Sequence, residues 1–414
     1  MSPIRTAPAP LAADDAARRS QYMDEVLRIL YPEPCVAGPP GSGNSTVVTE
    51  FIVIPDARRP RLLVPAGSRR VAAAAVRRYA EPQSRLARLK RDAVVAALRT
   101  GASTVLLRDR IRVTGGAPGA DTIEAYLRDA LGADLTVSVH IGPARANRKP
   151  VLQLLARTGA TIGFAKLGTG PLTRRLVRAE TAALTALAHV RLRQLTVPKV
   201  LHAGRWQGHQ VLVQQALPTW RTRSPLGPDR LAVAMREVAA CCGTTGGWLS
   251  TSPYWAELRN RLADISDHAE GSQLGAAARK LHARAGDVSL RYGAWHGDWS
   301  PWNMAVLADE LLVWDWERFT PGVPLGLDAL HHDLQRRLQR TPDAGAAVDE
   351  TVRRAPILLA PFEVAPHAAE VTALLYLVDL AARYVADRQA EAGARLGVLG
   401  SWLLPVLIRR VEAL

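Results

Sequence analysis

His296-Gly297-Asp298-Trp299-Ser300-Pro301-Trp302-Asn303, followed by Trp314-Asp315-Trp316-Glu317, is the stretch on which the reading of this 414-residue chain turns. A tight His-Gly-Asp turn presents the Asp298 carboxylate, and Asn303 stands five positions later. Asp315 ends the apolar run Leu311-Leu312-Val313-Trp314, twelve positions after Asn303. Met304–Leu307 and Leu311–Trp314 are short enough to pair as a hairpin, which would return Asp315 to the side of Asn303. That would set two hard oxygen ligands together, the donor type Mg²⁺ takes, near a carboxylate able to accept a hydroxyl proton. Each piece alone is a weak signal, and an isolated His-Gly-Asp is usually no more than a turn. Their order and spacing carry the weight. They match the few parts phosphoryl transfer asks for, namely positioned phosphates, a neutralising metal and cation, and a base that orients the acceptor.

The pattern resembles the signature of the aminoglycoside phosphotransferase and choline kinase-like family. Gly322-Val323-Pro324 followed by Asp328 is similar to the Gly-x-Pro-x-x-x-Asp element of that family, and the resemblance covers about 135–335. It implies that Asp298 is the catalytic base, that Asn303 and Asp315 hold the metal, and that the cofactors are ATP and Mg²⁺. It also implies an upstream strand lysine and helix glutamate. Lys166 ends the run Thr161-Ile162-Gly163-Phe164-Ala165, and Glu180 lies fourteen positions on in an expected helix. Their ion pair would hold Lys166 against the phosphates. Gln214 and Ala216 fall where a hinge strand would meet adenine through backbone groups. The phosphate-covering loop would be Gly142-Pro143-Ala144-Arg145-Ala146-Asn147-Arg148, with Gly142 and Asn147 as nucleotide contacts.

The departures from protein kinases are informative. The loop has a single glycine. Asp315 is followed by Trp316-Glu317 rather than Phe-Gly, and Ser300 stands where Ser/Thr protein kinases carry lysine. No activation segment of usual length precedes Asp328. These points favour a small acceptor over a protein.

The resemblance implies an α+β, bilobal protein-kinase-like fold, with Mg·ATP between a β-rich N-lobe over 131–217 and a mainly helical C-lobe over 218–414. An α/β module of unassigned role is expected over 1–130. Within the module, 1–20 reads as a loose tail and Gln21–Leu30 as a helix. Val47–Ile54, Arg61–Val64 and Thr104–Val113 read as strands, Arg69–Tyr79 and Ser84–Arg99 as helices, and Asp121 as a helix cap. The N-lobe reads as strands Leu135–Ile141, Val151–Ala156 and Thr161–Leu167, a helix from Leu172 to about His189, then strands Lys199–Gly204 and Gln210–Leu217. Beyond Pro218 the chain reads as helical except for two short strands near 304–315.

Composition narrows the partners. A formal charge of +15, with only five lysines among 53 basic residues, means an arginine excess. The arginines are spread along the chain, and no nucleic-acid-binding motif accompanies them, which disfavours a nucleic-acid partner. Attraction to nucleotide phosphates, acidic glycans or an anionic membrane surface remains open, beside the bland account of an arginine- and alanine-rich coding bias. Cys35 and the adjacent Cys241 and Cys242 show neither metal spacing nor a disulfide framework. No apolar stretch reaches the ~18 residues of a membrane span. A cytoplasmic protein is expected, and the sequence carries no reading of oligomeric state.

Gly38-Pro39-Pro40-Gly41-Ser42-Gly43-Asn44-Ser45-Thr46 nearly matches a phosphate-binding loop, but Asn44 replaces the lysine and a strand follows where a helix is required. Five of ten tryptophans fall between Trp295 and Trp316. Core packing is the first reading for them, and stacking of Trp299 or Trp302 on a flat acceptor is the other. His331-His332-Asp333 reads as a solvated or capped helix start rather than a metal site. The acceptor class expected is a sugar, glycan precursor or other hydroxylated small molecule. An antibiotic-inactivating kinase is a second reading, weakened because aminoglycosides are polycations. A third is a non-catalytic module that binds a peptide in natural-product maturation through residues 1–130.

Overall fold

Period-2 alternation of apolar residues organises the first half of the chain. The computed structural model describes residues 9–41, 46–79, 85–115, 120–394 and 396–414. In chain order the first elements are α1 (Ala9–Leu30), β1 (Val36–Gly38), β2 (Val47–Ile54), β3 (Leu62–Pro65), α2 (Arg69–Tyr79), α3 (Arg85–Thr100), α4 (Ser103–Leu106), β4 (Arg110–Thr114) and α5 (Ile123–Leu131). There follow β5 (Leu135–His140), β6 (Val151–Ala156), β7 (Thr161–Gly168), α6 (Pro171–Leu187), β8 (Leu195–Thr196), β9 (Val200–Trp206) and β10 (His209–Gln215). Three strands, a helix and two principal strands thus succeed one another as the kinase-like reading requires.

Two compact units result. The first comprises Met1–Ala144, Arg148–Val177 and Val200–Ala216, and the second Arg145–Asn147, Arg178–Lys199 and Leu217–Leu414. The first unit is built on one nine-stranded antiparallel sheet, ordered β1-β4-β2-β3-β5-β6-β7-β10-β9. Successive side chains of a strand point to opposite faces, and both faces here are apolar. Phe51, Val53, Val137, Val139, Leu152, Leu154, Ala165, Leu167, Val211 and Val213 join Met23, Val26, Leu27 and Leu30 of α1 and Ile123 and Leu127 of α5 in one core. Ile52, Leu62, Val64 and Leu155, which interleave with them, pack against Val71, Ala72 and Val76 of α2 and Val95 and Leu98 of α3. The expected division near residue 130 falls inside this unit, because β3 pairs with β5 through Leu62–His140 and Leu63–Val139.

Several local expectations are corrected. The helix before β1 begins at Ala9 rather than Gln21, while residues 1–8 of the expected tail lie outside the described residues. Thr104–Leu106 is helical, not extended. Gly101, at φ 88°, ends α3, and the next turn bonds back onto it, Thr104 N and Oγ1 both reaching Gly101 O at 3.2 and 3.0 Å. The α5 cap is Thr122, whose hydroxyl accepts from Ala125 N at 3.3 Å. Asp121 instead accepts from Trp206 Nε1 at 2.6 Å and Gln207 Nε2 at 2.7 Å. Of the near phosphate-loop motif, residues 42–45 lie outside the described residues, and β2 follows it.

The second unit adds α7 (Pro228–Ala240), β11 (Thr245–Trp248), α8 (Pro253–Ala263), α9 (Ala269–Ala285), β12 (Ser289–Trp295), β13 (Met304–Val306), β14 (Leu311–Val313), β15 (Thr320–Pro324), α10 (Leu327–Leu338), α11 (Ala344–Arg353), α12 (Ala355–Leu359), α13 (Pro366–Ala386) and α14 (Leu404–Ala413). Its strands form two small sheets, β11-β12-β15 and β13-β14-β8. The first is not among the expected elements. Its outer strands carry Gly246-Gly247 and Pro321-Gly322, residues that ordinarily mark turns, yet β12 shows the alternation, with Ser289 and Arg291 exposed and Leu290 and Tyr292 buried. The helix α13 runs through the core, burying Leu374, Leu375, Tyr376 and Leu377 completely. Among the described residues no single helix is long and apolar enough to cross a membrane.

Leu30 is wholly buried where α1 closes one sheet face. Leu30→Ala should destabilise the chain by about 2–5 kcal/mol, the usual cost of deleting a core leucine. Urea denaturation followed by circular dichroism checks it, and an unchanged midpoint would remove α1 from the core.

Candidate active site

The site begins where β12 leaves its sheet. Gly297 sits at φ 83°, and a Cβ there would stand 2.3 Å from Arg318 O, so only glycine turns the chain here. Asp328, in the first turn of α10, holds the turn from beneath. Its carboxylate accepts from His296 N at 2.7 Å and Gly297 N at 3.1 Å. Arg383 Nη1 donates to Gly297 O at 2.6 Å from the other side. Burial pushes Asp328 up to about 7, against the lowering effect of its two backbone donors.

His296 is wholly buried. Its Nδ1 accepts from Asp298 N at 3.1 Å, and its Nε2 lies 3.1 Å from Trp314 O. A neutral imidazole protonated on Nε2 satisfies both contacts. Burial pushes this histidine down to about 4. The indole of Trp316 packs edge-on against it, with centroids 4.5 Å apart.

Asp298 emerges from this turn with 34% of its side chain exposed. Oδ1 accepts from Ser300 Oγ at 2.8 Å and lies 3.0 Å from His331 Nε2. Oδ2 accepts from Asn303 Nδ2 at 3.0 Å, and the same amide donates to Asp298 O at 2.9 Å. Burial raises the carboxyl pKa, but the His331 and Ser300 contacts outweigh it and hold the group below the usual range. With both amide hydrogens directed at Asp298, Asn303 keeps its side-chain carbonyl oxygen for another partner.

The hairpin expected from the sequence forms. Met304 pairs with Val313 and Val306 with Leu311, and Trp314 N donates to Asn303 O at 3.1 Å. Asp315 follows at φ 73°, a left-handed conformation that costs a non-glycine residue of order 1 kcal/mol or more. Its carboxylate groups with those of Glu180 on α6 and Glu317, one oxygen from each lying within 4.8 Å of the others. Glu317 also accepts from Asn147 Nδ2 at 3.2 Å. The donors are carboxylate oxygens, with an amide carbonyl available on Asn303, and this is the chemistry Mg²⁺ prefers.

The remaining sequence candidates belong to the first unit. Lys166 on β7 is buried and stands across from Val151 and Leu212. Gln214 on β10, also buried, stands across from Phe164. Because Ala165, Leu167, Val211 and Val213 point into the core shared with α1 and α5, Lys166 and Gln214 occupy the opposite sheet face. Gln214 Oε1 is buried without a hydrogen-bond partner, so a ligand donating there would complete it. Ala216 is half-buried just beyond β10, and Gly142 is half-buried in the segment between β5 and β6.

Three functional candidates have no role assigned from the sequence. Glu317 stands inside the motif itself, where the sequence reading gives the metal role to Asp315. His331 is not at a helix start; it lies inside α10, 2% exposed, and reaches Asp298. Tyr376 bonds His331 in turn, Oη to Nδ1 at 3.0 Å. No local signal marks either, because the partners are 33 and 45 residues apart.

No protein-family model matches the chain, and no curated protein sequence matches it. Among solved structures it is similar to choline kinase LicA from Streptococcus pneumoniae, at 13% identity over 70% of this chain and 99% of that one, with a TM-score of 0.45. It is similar to an aminoglycoside phosphotransferase in a ternary complex with ADP and hygromycin B, at 15% identity over 70% of this chain and 98% of that one, TM-score 0.44. An amicoumacin kinase in complex with AMP-PNP and Ca²⁺ matches at 11% identity over 71% and 95% of the two chains, TM-score 0.44.

The buried groups predict a pH dependence. Burial holds His140, His296 and His332 each at about 4, below the ordinary histidine value of about 6.5. Near pH 5, unfolding lets these three imidazoles bind protons while Asp328 releases one, a net uptake of about two protons. A lowered histidine pKa contributes stability that is present above the unfolded value and lost as pH falls toward the folded one. The melting temperature should therefore drop between about pH 6.5 and 4, and His332→Gln should flatten the drop. A melting temperature independent of pH over that window would contradict the assignment.

Proposed function

We propose that the chain is an ATP-dependent phosphotransferase acting on a hydroxyl of a small molecule, such as a sugar, glycan precursor or other hydroxylated metabolite. The observation that carries this reading is the Asp298–Asn303 pair, anchored by backbone and side-chain bonds, in the same unit as the Glu180, Asp315 and Glu317 carboxylates. ATP supplies the transferable phosphoryl group, and Mg²⁺ neutralises the charge on it. Asp298 orients the acceptor hydroxyl and takes its proton. Its depressed pKa keeps it ionised at neutral pH, with its geometry set by Ser300, Asn303 and His331. Asp315 and the carbonyl of Asn303 hold the metal, with Glu317 and Glu180 adding negative charge beside it. Lys166 is the cation assigned to the phosphates.

Trp299 is wholly buried, whereas Trp302 is 42% exposed one residue before Asn303. Of the two, Trp302 is therefore the aromatic face we assign to acceptor stacking.

The test is transfer of ³²P from γ-labelled ATP, with Mg²⁺, to a pool of hydroxylated metabolites. Asp298→Ala should lower turnover by at least about 10²-fold, the scale of a lost general base, while nucleotide affinity by calorimetry stays within about twofold. Asp315→Asn should instead raise the Mg²⁺ concentration needed for half-maximal rate. An Asp298→Ala protein that transfers phosphate at the wild-type rate would overturn the reading.

A further inference from the structure

Helix α10 holds the Asp298 loop at two points that are three residues apart on one helix face. Asp328 binds the backbone of the turn, at His296 N and Gly297 N. His331 reaches the side chain of Asp298 itself. The Asp328 contacts are buried, and the His331 contact is buried on its helix side. His331 is 2% exposed, and Tyr376, which meets its other ring nitrogen, is wholly buried. Buried polar groups are costly unless bonded, and this pair is bonded end to end, Tyr376 Oη to Nδ1 at 3.0 Å and Nε2 to Asp298 Oδ1 at 3.0 Å. The tyrosine ring stands edge-on to the imidazole, with centroids 6.0 Å apart and planes at 82°, which also limits ring rotation.

The donors divide unequally between the two carboxylate oxygens. A carboxylate offers about two acceptor directions per oxygen. Ser300 Oγ and His331 Nε2 take both on Oδ1. Asn303 Nδ2 takes only one on Oδ2. We propose that His331, steadied by Tyr376, is a positioning residue that fixes the Asp298 carboxylate so that Oδ2 receives the acceptor proton. This inference rests on the reading of Asp298 as the base.

An ionised Asp298 only accepts, so His331 Nε2 carries the hydrogen of that contact. In this proposal Tyr376 O–H donates to Nδ1 and the imidazole is neutral. During transfer the acceptor oxygen bonds to the γ-phosphorus, the bond from that phosphorus to the ADP oxygen breaks, and the acceptor proton passes to Oδ2. Oδ1 stays occupied throughout. Without His331 only Ser300 remains on Oδ1 and Asn303 on Oδ2, so the carboxylate is held less firmly about its side-chain torsions and the open acceptor direction is less sharply set. The loss falls on the chemical step and not on nucleotide binding.

The experiment has a spectroscopic arm and a kinetic arm. In ¹⁵N-histidine-labelled protein, His331 should show the Nε2–H neutral tautomer, with a proton resonance that shifts in Asp298→Ala and in Tyr376→Phe. In hydrolysis of Mg·ATP, with water as the attacking hydroxyl, His331→Ala should lower kcat about 10²-fold, the scale of a misplaced catalytic group, with KM for ATP within about twofold. His331→Gln, whose amide can donate to Oδ1, should recover about tenfold of that loss. In an Asp298→Asn background His331→Ala should cost nothing further, because the two residues act as one unit. A His331 bearing its hydrogen on Nδ1, a full-rate His331→Ala protein, or a glutamine variant no better than alanine would each overturn the proposal. Should His331→Ala fail to fold, Tyr376→Phe, which removes a single oxygen, carries the same test through the resonance and kcat. A fully active Asp298→Ala would sink the base assignment itself. An inactive Asp298→Ala beside an unimpaired His331→Ala would sink the positioning role alone.

Discussion

A buried carboxylate beneath a glycine turn is the constraint on which the loop 296–303 depends. The turn at Gly297 exposes two amide hydrogens to the protein interior, where water cannot satisfy them. Asp328 takes both. The arrangement is costly for an ion, and burial accordingly pushes the acid up to about 7. What it secures is the direction of the chain. With His296 and Gly297 fixed to α10, Asp298 must leave the turn toward Ser300 and Asn303, and Arg383 closes the remaining carbonyl of the turn. The loop is therefore an extension of the helical core, and its side chains inherit the rigidity of α10 and α13.

The other half of the site depends on a hairpin and a strained residue. Five-residue spacing brings Asn303 to Asp298, but Asp315 arrives by pairing β13 with β14. At φ 73° its backbone is in a region that aspartate enters at a cost. The strain is sustained because Trp314 N is held by Asn303 O and Trp316 is packed without exposure against His296. The consequence is a gathering of carboxylates from α6 and from the segment after β14. Like charges at such distances repel, which a cation or a proton between them would relieve.

Much of this is legible in the amino-acid sequence, and the reasons are physical. Asp298, Asn303 and Asp315 can be related because short-range spacing and a short hairpin determine where they meet. The strands flanking Lys166 and Gln214 can be read because both faces of the sheet are apolar. The β11-β12-β15 sheet is not legible, since Gly246-Gly247 and Pro321-Gly322 signal turns to any local rule while their pairing with β12 is decided by tertiary contacts. The single sheet running from β1 to β9 is equally hidden. Its joining register, Leu62–His140, links residues 78 apart in the chain, and neither strand announces its neighbour. His331 and Tyr376 belong to the same class. Their helices are predictable, but the side chain that reaches Asp298 and the tyrosine bonded behind it look in sequence like any other core position.

The exposure pattern of the loop bears on how one such scaffold could select an acceptor. Within 296–303, His296, Trp299 and Ser300 are wholly buried, Asn303 is 5% exposed, and Asp298 is exposed only in part. Each is bonded or packed into the core, so a change at any of them disturbs the geometry around Asp298. Trp302 differs, at 42% exposure. Its ring is the exposed one beside Asn303. Under the proposed function, chemistry and recognition would be separated within these eight residues. On that reading the bonded side chains would hold the group that takes the proton, and the exposed indole would meet the acceptor. Under the proposed function, variation at position 302 would alter acceptor choice while leaving the pinned Asp298 in place.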